Sequence, residues 1–170
     1  MIEPTPRSAT TGIVTFRVEP HLLGIPITHV REINRQLDLT RVPRAPDFVR
    51  GLVNLRGQLV TVIDPGVRLG LGPRSVAPSS RLVVLKTRGE LGVLSDASWS
   101  GIDDKVGLWI DAIGEVVTPG PNDIESAPSN LDPSVVRMLR GVCQTEAAAI
   151  GLLDLNQLLE RAPREARAAA

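Results

Sequence analysis

The segment Gly51–Asp64, GLVNLRGQLVTVID, constrains the fold most, because two apolar runs of strand length flank the break Asn54-Leu55-Arg56-Gly57. Short runs rich in Val, Leu and Ile that end at turn residues are typical of β-strands. Gly51 and Gly57 bracket the break, and Gly57 can adopt a positive φ angle or allow a close backbone approach. The segment therefore predicts two strands with an arginine held between them on a tight turn or bulge, where Asn54 bonds to the turn backbone.

Short apolar runs separated by turns continue along the rest of the chain, which contains 14 prolines and 15 glycines. Pro26 lies inside the second run and cannot donate a ladder hydrogen bond, so its strand should lie at a sheet edge or carry a bulge. Many short strands with little helix predict an all-β fold with short helices, built from small barrels. Strands are predicted at residues 12–18, 22–33, 82–87, 106–118, 141–144 and 149–155, and helices or single helical turns at 45–51, 132–140 and 154–162, the last with Asp154 as N-cap.

The length of 170 residues suits one domain, or two small lobes that share a core. Residues 1–10 and 162–170 are expected to form a flexible N-terminal arm and a flexible C-terminal tail around a folded domain of residues 11–161. The stretch at about 66–81, GVRLGLGPRSVAPSSR, is rich in glycine, proline and serine. It is the best candidate for a linker at an internal boundary.

Charge and composition exclude several function classes. The 19 basic and 19 acidic residues cancel, so no overall field would attract nucleic acid or an anionic membrane. No apolar run approaches the length of about 20 residues that spans a bilayer, and residues 1–10 have no hydrophobic signal core. A cytoplasmic location is the default. The single cysteine, Cys143, cannot form an internal disulfide or a multi-cysteine metal site, and its apolar neighbours predict a core position.

Residues suited to catalysis or cofactor binding are few. Neither His21 nor His29 belongs to a recognisable nucleophile–base pattern, and each is expected to be a turn residue or an exposed strand residue. Asp103-Asp104 is better explained as an acidic turn than as a metal site. The LGLGP stretch lacks the spacing, the following helix and the lysine of a phosphate loop. An enzyme therefore has almost no support, and no cofactor or metal is expected.

The two tryptophans do not form a platform for stacking nucleic-acid bases. Trp109 lies in the apolar run VGLWIDAI and is expected in the core. Trp99 lies in the polar stretch DASWSG, where an indole either folds back over the core as a lid or is presented to a partner.

Several of these segments resemble the CheW-like family of bacterial chemotaxis coupling proteins in both order and spacing. The resemblance covers nearly the whole folded region, and PDFVRGLVNLRG is its most specific element. It implies two packed five-stranded SH3-like β-barrel subdomains without catalytic activity. The segments that carry it are LLGIPITHVREI, TRVPRAPDFVRGLVNLRGQLVTVID followed by RLGL, VGLWIDAIGEVV, and LRGV followed by AIGLLDLNQLL.

Two features depart from the family pattern. Members commonly have Asp-Leu-Arg where this chain has Asp64-Pro65-Gly66, which removes an arginine. The segment Arg88–Lys105 looks like a hairpin about a dozen residues longer than usual, and the fold is expected to close without the extra residues. Both departures bear on partner contacts rather than on the fold.

The resemblance assigns Arg56 to a receptor-docking surface, whereas the residues alone equally allow a turn with a solvated arginine. Glu32 matches a family position near this arginine, so a Glu32–Arg56 ion pair would orient the side chain. The apolar residues Val30, Ile33 and Leu55 would add buried area, although Val30 and Ile33 could equally be core residues. The predicted docking set is Val30, Glu32, Ile33, Asn54, Leu55 and Arg56, with Gly51 and Gly57 as structural turn residues.

The resemblance implies a non-catalytic adaptor in signal transduction. Its partners would be the cytoplasmic tips of chemoreceptors and the regulatory domain of a histidine kinase, which has the same fold. It would be a cytoplasmic protein recruited to membrane receptor arrays, with no nucleic-acid partner and no direct membrane insertion. The alternative is a CheW-like interaction module that regulates a signalling system outside chemotaxis.

Overall fold

The computed structural model describes residues 11–72, 74–92, 99 and 101–160. The predicted N-terminal arm, residues 1–10, and C-terminal tail, residues 162–170, lie outside the described residues. The described chain forms two β-sheets and four short α-helices, together with one 3-10 turn at Ile27–His29. The predicted all-β fold with short helices is confirmed.

The first sheet contains six strands in the order β8-β1-β2-β11-β10-β9. All neighbouring strands are antiparallel except β2 and β11, which are parallel. The strands are β1 (Ile13–Val18), β2 (His21–Pro26), β8 (Ala112–Val117), β9 (Ile124–Glu125), β10 (Leu139–Gln144) and β11 (Ala149–Leu153).

The second sheet contains five strands in the order β3-β6-β7-β5-β4, in which only β5 and β7 are parallel. In the described part of the chain, ladder pairing leaves β3 and β4 at the edges of this sheet and β8 and β9 at the edges of the first. In the described ranges the two sheets thus have six and five strands, in agreement with the two packed five-stranded subdomains predicted. The strands are β3 (Val30–Asn34), β4 (Val49–Leu55), β5 (Gln58–Ile63), β6 (Arg81–Leu85) and β7 (Val106–Ile110).

The chain changes sheet at two points, and neither is the predicted linker. Residues 66–81 connect β5 to β6 within the second sheet. The chain instead crosses after Pro26, through the 3-10 turn into β3, and returns at Asp111 between β7 and β8. The edge or bulge predicted for Pro26 is also wrong, because β2 lies between β1 and β11. Pro26 ends β2, where no further ladder donor is needed.

Three apolar clusters hold the sheets together. Strands β6 and β7 read as continuous apolar runs because both of their faces are buried: Val83 and Leu108 face the central cluster, whereas Leu82 and Trp109 face a second cluster within the second sheet. A third cluster, which includes Cys143, lies on the first sheet. The central cluster contains Phe16, Val18, Leu23, Ile25, Phe48, Ile63, Leu69, Val83, Leu85, Leu91, Trp99, Val106, Leu108, Ile110, Val135, Met138, Leu153, Leu155 and Leu158. Residues from both sheets meet there, so the two halves share one core.

Three of the four helices begin at an aspartate that caps the first turn. The side chains of Asp64, Asp132 and Asp154 each accept a hydrogen bond from the backbone N–H two residues later. The N-cap predicted at Asp154 and the helix predicted within 132–140 are confirmed, whereas the helical turn predicted at 45–51 is wrong, because Asp47-Phe48 forms a turn and Val49 begins β4. The helices are α1 (Pro65–Arg68), α2 (Arg88–Leu91), α3 (Pro133–Arg137) and α4 (Leu155–Leu159).

The segment predicted as an extended hairpin, Arg88–Lys105, folds back over the core where it is described. It begins with α2, whose N-terminus has a capping box between Thr87 and Glu90. Leu91 and Trp99 are 1% and 2% exposed and belong to the central cluster. Trp99 therefore folds back over the core as a lid, and because both side chains are part of the core, their burial argues against a fold that closes without this segment.

Of the remaining predictions for single residues, those for the cysteine and one tryptophan are confirmed and that for one histidine is wrong. Cys143 and Trp109 are fully buried, as predicted. The prediction of an exposed or turn position is wrong for His29, which is 1% exposed and packs edge-on against the Trp99 ring at 5.2 Å. His21 begins β2 and is half-buried.

Candidate functional site

The turn between β4 and β5 has the geometry that its sequence predicts. Leu55 ends β4 and Gln58 begins β5, so Arg56 and Gly57 alone form the loop. Their φ angles are 52° and 82°, the combination required by a two-residue type I′ hairpin turn. The Gly57 backbone N–H donates to Asn54 Oδ1 at 2.8 Å, which fixes the turn. Positive φ is unusual for a residue other than glycine, so the fold holds Arg56 in a defined and locally strained position.

The Arg56 side chain projects from this turn and pairs with Glu32 on β3. The Nη2–Oε2 distance is 2.9 Å, and the two side chains are 79% and 25% exposed. An ion pair this exposed stabilises the fold by about 0 to 1 kcal/mol. Its effect is therefore to orient the guanidinium, while most of that group stays accessible to a partner.

A groove of about 230 Å³ lies beside this ion pair, between β3 and the β4–β5 hairpin. We call it the hairpin groove. Arg31 Nη1 donates to Gln58 Oε1 at 3.4 Å across it, and Gln36 Nε2 donates to the Asn54 carbonyl oxygen at 3.2 Å. Side chains thus connect two strands that are not ladder partners. The groove is lined by Arg31, Glu32, Leu55, Arg56, Gln58, Val60 and Val84.

The apolar members of the predicted docking set are not equally available. Ile33 is 44% exposed and could contact a partner. Val30 is half-buried against the central cluster, and Leu55 is only 7% exposed. Leu55 packs in the second sheet's cluster below the turn, so it offers a partner little surface although it lines the groove.

Leu59, an exposed residue absent from the predicted docking set, is 61% exposed on β5 opposite Asn54. The sequence could have shown this position, because a two-residue turn fixes the hairpin register, and residues directly opposite each other in that register face the same side of the sheet. Leu59 thus lies on the same sheet face as Asn54, opposite to the face of the groove-lining Gln58 and Val60.

Gly51 is required by a close backbone approach rather than by the turn itself. Its φ is 147°, and a Cβ atom there would lie 2.5 Å from the Thr40 carbonyl oxygen. The Thr40 and Leu52 backbones exchange two hydrogen bonds of 2.8 Å beside it. Gly51 therefore allows the segment before β4 to pair with that strand.

A buried arginine network, which the sequence did not predict, lies beside the second sheet. Arg74, in the connection between β5 and β6, pairs with Asp64 and with Asp111, the latter at 2.6 Å. Its guanidinium carbon lies 4.6 Å from the centre of the Trp109 ring. Asp111 also accepts from the Glu19 backbone N–H at 2.8 Å, at the point where the chain returns to the first sheet. Arg74 therefore links the second sheet to the crossover between the sheets.

Two further features of the described chain bear on function. None of its helices has the length and apolar character needed to cross a membrane. Within the same described ranges, no three His, Cys, Asp or Glu side chains lie together as a candidate metal site.

Comparison with known proteins identifies the family. The profile of the CheW-like domain matches residues 12–163, nearly the whole described chain. The chain belongs to the CheW-like family. Relatives of the chain include the chemotaxis protein CheW of Rhizobium meliloti, which is 29% identical over 154 residues, covering 91% of this chain and 90% of that protein. Protein FrzA of Myxococcus xanthus is 31% identical over 154 residues, covering 89% and 86%.

The CheW-like fold is confirmed by a solved structure. The crystal structure of the scaffolding protein TtCheW from Thermoanaerobacter tengcongensis aligns with a TM-score of 0.72 at 28% identity. The alignment covers 89% of this chain and 94% of that one. Nearly all of both folds therefore correspond, so the family resemblance seen in the sequence is confirmed.

Proposed function

We propose that this protein is a non-catalytic adaptor that couples chemoreceptors to a chemotaxis-type histidine kinase. Membership of the CheW-like family over residues 12–163 supports this role. So do relatives named as chemotaxis proteins and a similar structure named as a scaffolding protein. The adaptor acts in the cytoplasm and is recruited to membrane receptor arrays.

The exposed Arg56 on its rigid turn carries the proposal for the receptor surface. The type I′ backbone and the contact with Glu32 set the guanidinium before a partner arrives, which lowers the entropy lost on binding. An exposed arginine beside exposed apolar side chains suits a protein partner, because arginine is enriched at interface hot spots. The chemoreceptor tip therefore docks on the hairpin groove, with the exposed Ile33, next to Glu32 on β3, as a further apolar contact.

The kinase regulatory domain docks on a different surface, at the β8 edge of the first sheet. Ile113 and Val116 on this strand are 38% and 55% exposed, and Ile27 beside Val116 is 44% exposed. An edge strand presents unpaired backbone groups, and apolar side chains along it favour association with another β-sheet protein. Two separate surfaces on one body allow receptor and kinase to bind together.

Replacing Arg56 with alanine tests the receptor surface. Binding to a receptor cytoplasmic fragment should weaken at least about tenfold, since truncation of a hot-spot arginine costs at least about 2 kcal/mol. Thermal stability should change little, because the ion pair is exposed. Arg137→Ala, an exposed arginine on α3, is the matched control and should bind normally. Normal receptor binding by Arg56→Ala removes Arg56 from the docking surface.

A further inference from the structure

A concavity larger than the hairpin groove lies elsewhere on the molecule. It has a volume of about 690 Å³ and is formed by the chain that precedes and enters β4. We call it the loop groove, and it shares no lining residue with the hairpin groove. Its lining residues are Leu39, Arg41, Val42, Pro43, Arg44, Ala45, Pro46, Asp47, Val49 and Arg50.

The loop groove is positively charged, although the whole chain is neutral. Three arginines and one aspartate line it, which leaves a surplus of two positive charges. Arg56 and Arg74, by contrast, are paired with Glu32 and Asp64. No carboxylate in the described ranges lies within 4 Å of the charged groups of Arg41, Arg44 or Arg50. The groove therefore presents guanidinium groups that an acidic partner could pair.

The groove is preorganised by its backbone. The Thr40–Leu52 hydrogen bonds tie down one end, and the Asp64 N–H donates to the Phe48 carbonyl oxygen at 2.7 Å near the other. Pro43 and Pro46 restrict the backbone between these points. Arg44 has a φ of 60°, a left-handed conformation that persists only where the surrounding structure enforces it. Such a loop loses little conformational entropy when it binds a partner.

One of the arginines is also held by stacking. The Arg50 guanidinium carbon lies 4.6 Å from the centre of the buried Trp109 ring, the same distance as that of Arg74. A cation–π contact orients the planar group and leaves its N–H donors free to reach a carboxylate. Trp109 thus connects the loop groove to the sheet core.

We propose that the loop groove binds an extended acidic segment of a partner protein, with carboxylates paired to Arg41, Arg44 and Arg50. Half of the ten lining residues are exposed and none is buried, so the groove cannot enclose a small molecule as typical ligand pockets do. Val42, 39% exposed, and the two prolines supply apolar contacts between the charges. Guanidinium groups match carboxylates in a bidentate geometry, which favours Asp- and Glu-rich peptides. The neutral net charge of the chain argues against nucleic acid as the partner.

Fluorescence anisotropy with a labelled peptide of alternating glutamate and serine tests this proposal. The full-length protein should bind it at 50 mM salt and about tenfold more weakly at 200 mM. The same peptide with glutamine in place of glutamate should not bind. The double variant Arg41→Gln/Arg44→Gln should bind the acidic peptide about tenfold more weakly than the parent. The lysine version, Arg41→Lys/Arg44→Lys, should recover part of the affinity because it keeps the charge but loses the fork geometry.

The matched control is Arg137→Gln/Arg140→Gln, which removes two exposed arginines outside the loop groove. It changes the net charge equally and should leave binding unchanged. Circular dichroism establishes that each variant is folded. The proposal is overturned if the parent does not bind, if the glutamine peptide binds equally, or if the control loses as much affinity as the groove variant. Equal or tighter binding of a single-stranded oligonucleotide would assign the groove to nucleic acid instead. Arg56 is intact in every variant, so these results are independent of receptor coupling.

Discussion

Replacing Arg74 with methionine should destabilise the protein strongly, because Asp64 and Asp111 would lose the cation that they share. The Arg74 side chain is 10% exposed and that of Asp64 is 3% exposed, so solvent screens their contact little. Removing one partner of a buried ion pair costs about 3 to 5 kcal/mol. Since 1 kcal/mol corresponds to about 2 to 4 °C at this chain length, the melting temperature should fall by roughly 6 to 20 °C.

Urea unfolding monitored by far-UV circular dichroism measures this loss of stability. Arg137→Met is the matched control and should lie within about 0.5 kcal/mol of the parent, because Arg137 is exposed. The triple variant Arg74→Met/Asp64→Asn/Asp111→Asn should recover part of the lost stability, since it leaves no unpaired buried charge. Asparagine at position 64 still caps α1. If Arg74→Met unfolds like the parent, or the triple variant is less stable than Arg74→Met, the buried ion-pair argument is wrong.

Three further predictions concern the turn, the lid and the cysteine. Gly57→Val should destabilise the fold by about 1 to 3 kcal/mol in urea unfolding, because φ is 82° there, while Gly57→Asn should cost less; equal stability of the valine variant would contradict the turn geometry. Trp99→Ala should cost about 3 to 5 kcal/mol, because Trp99 is buried in the central cluster; a change below 1 kcal/mol would place Trp99 outside the core. Burial, with a smaller effect of Asp123, raises the pKa of the Cys143 thiol. The native protein should therefore not react with a thiol reagent at pH 8 but should react once urea unfolds it, and rapid reaction of the folded protein would show an accessible thiolate.

Local chemistry explains which parts of the structure could be predicted from sequence. The turn at Arg56-Gly57 and the N-cap at Asp154 depend on residues within three positions of each other, so sequence order alone brings the partners together. The Glu32–Arg56 contact joins residues 24 positions apart, and the family resemblance supplied it. The residues next to Glu32 and Arg56 in the sequence do not by themselves predict that these two side chains meet.

Long-range packing explains what the sequence did not reveal. Arg74 and Asp111 are 37 positions apart in the sequence. The residues around Arg74 have an ordinary turn composition, so they do not predict that it forms a buried ion pair. The crossover after Pro26 depends on which strands pair in each sheet, and a single apolar run contains no signal for a change of sheet. His29 and Trp99 likewise pack against each other from segments that are distant in sequence. The β-strand propensity of a segment describes that segment alone, whereas the burial of its side chains depends on packing neighbours that are distant in sequence.

The adaptor role itself is tested most directly by titrating receptor-dependent kinase activity with this protein. A bridging protein acts only by holding two partners together, so it raises their effective concentration without adding chemistry. Moderate concentrations should form complexes that contain both partners, whereas a large excess should occupy receptor and kinase separately. Kinase control should therefore rise and then fall as the protein is added, and Arg56→Ala should shift the rise to higher concentration. A curve that climbs to a plateau and stays there, well above the concentrations of both partners, would contradict bridging and favour regulation through a single partner.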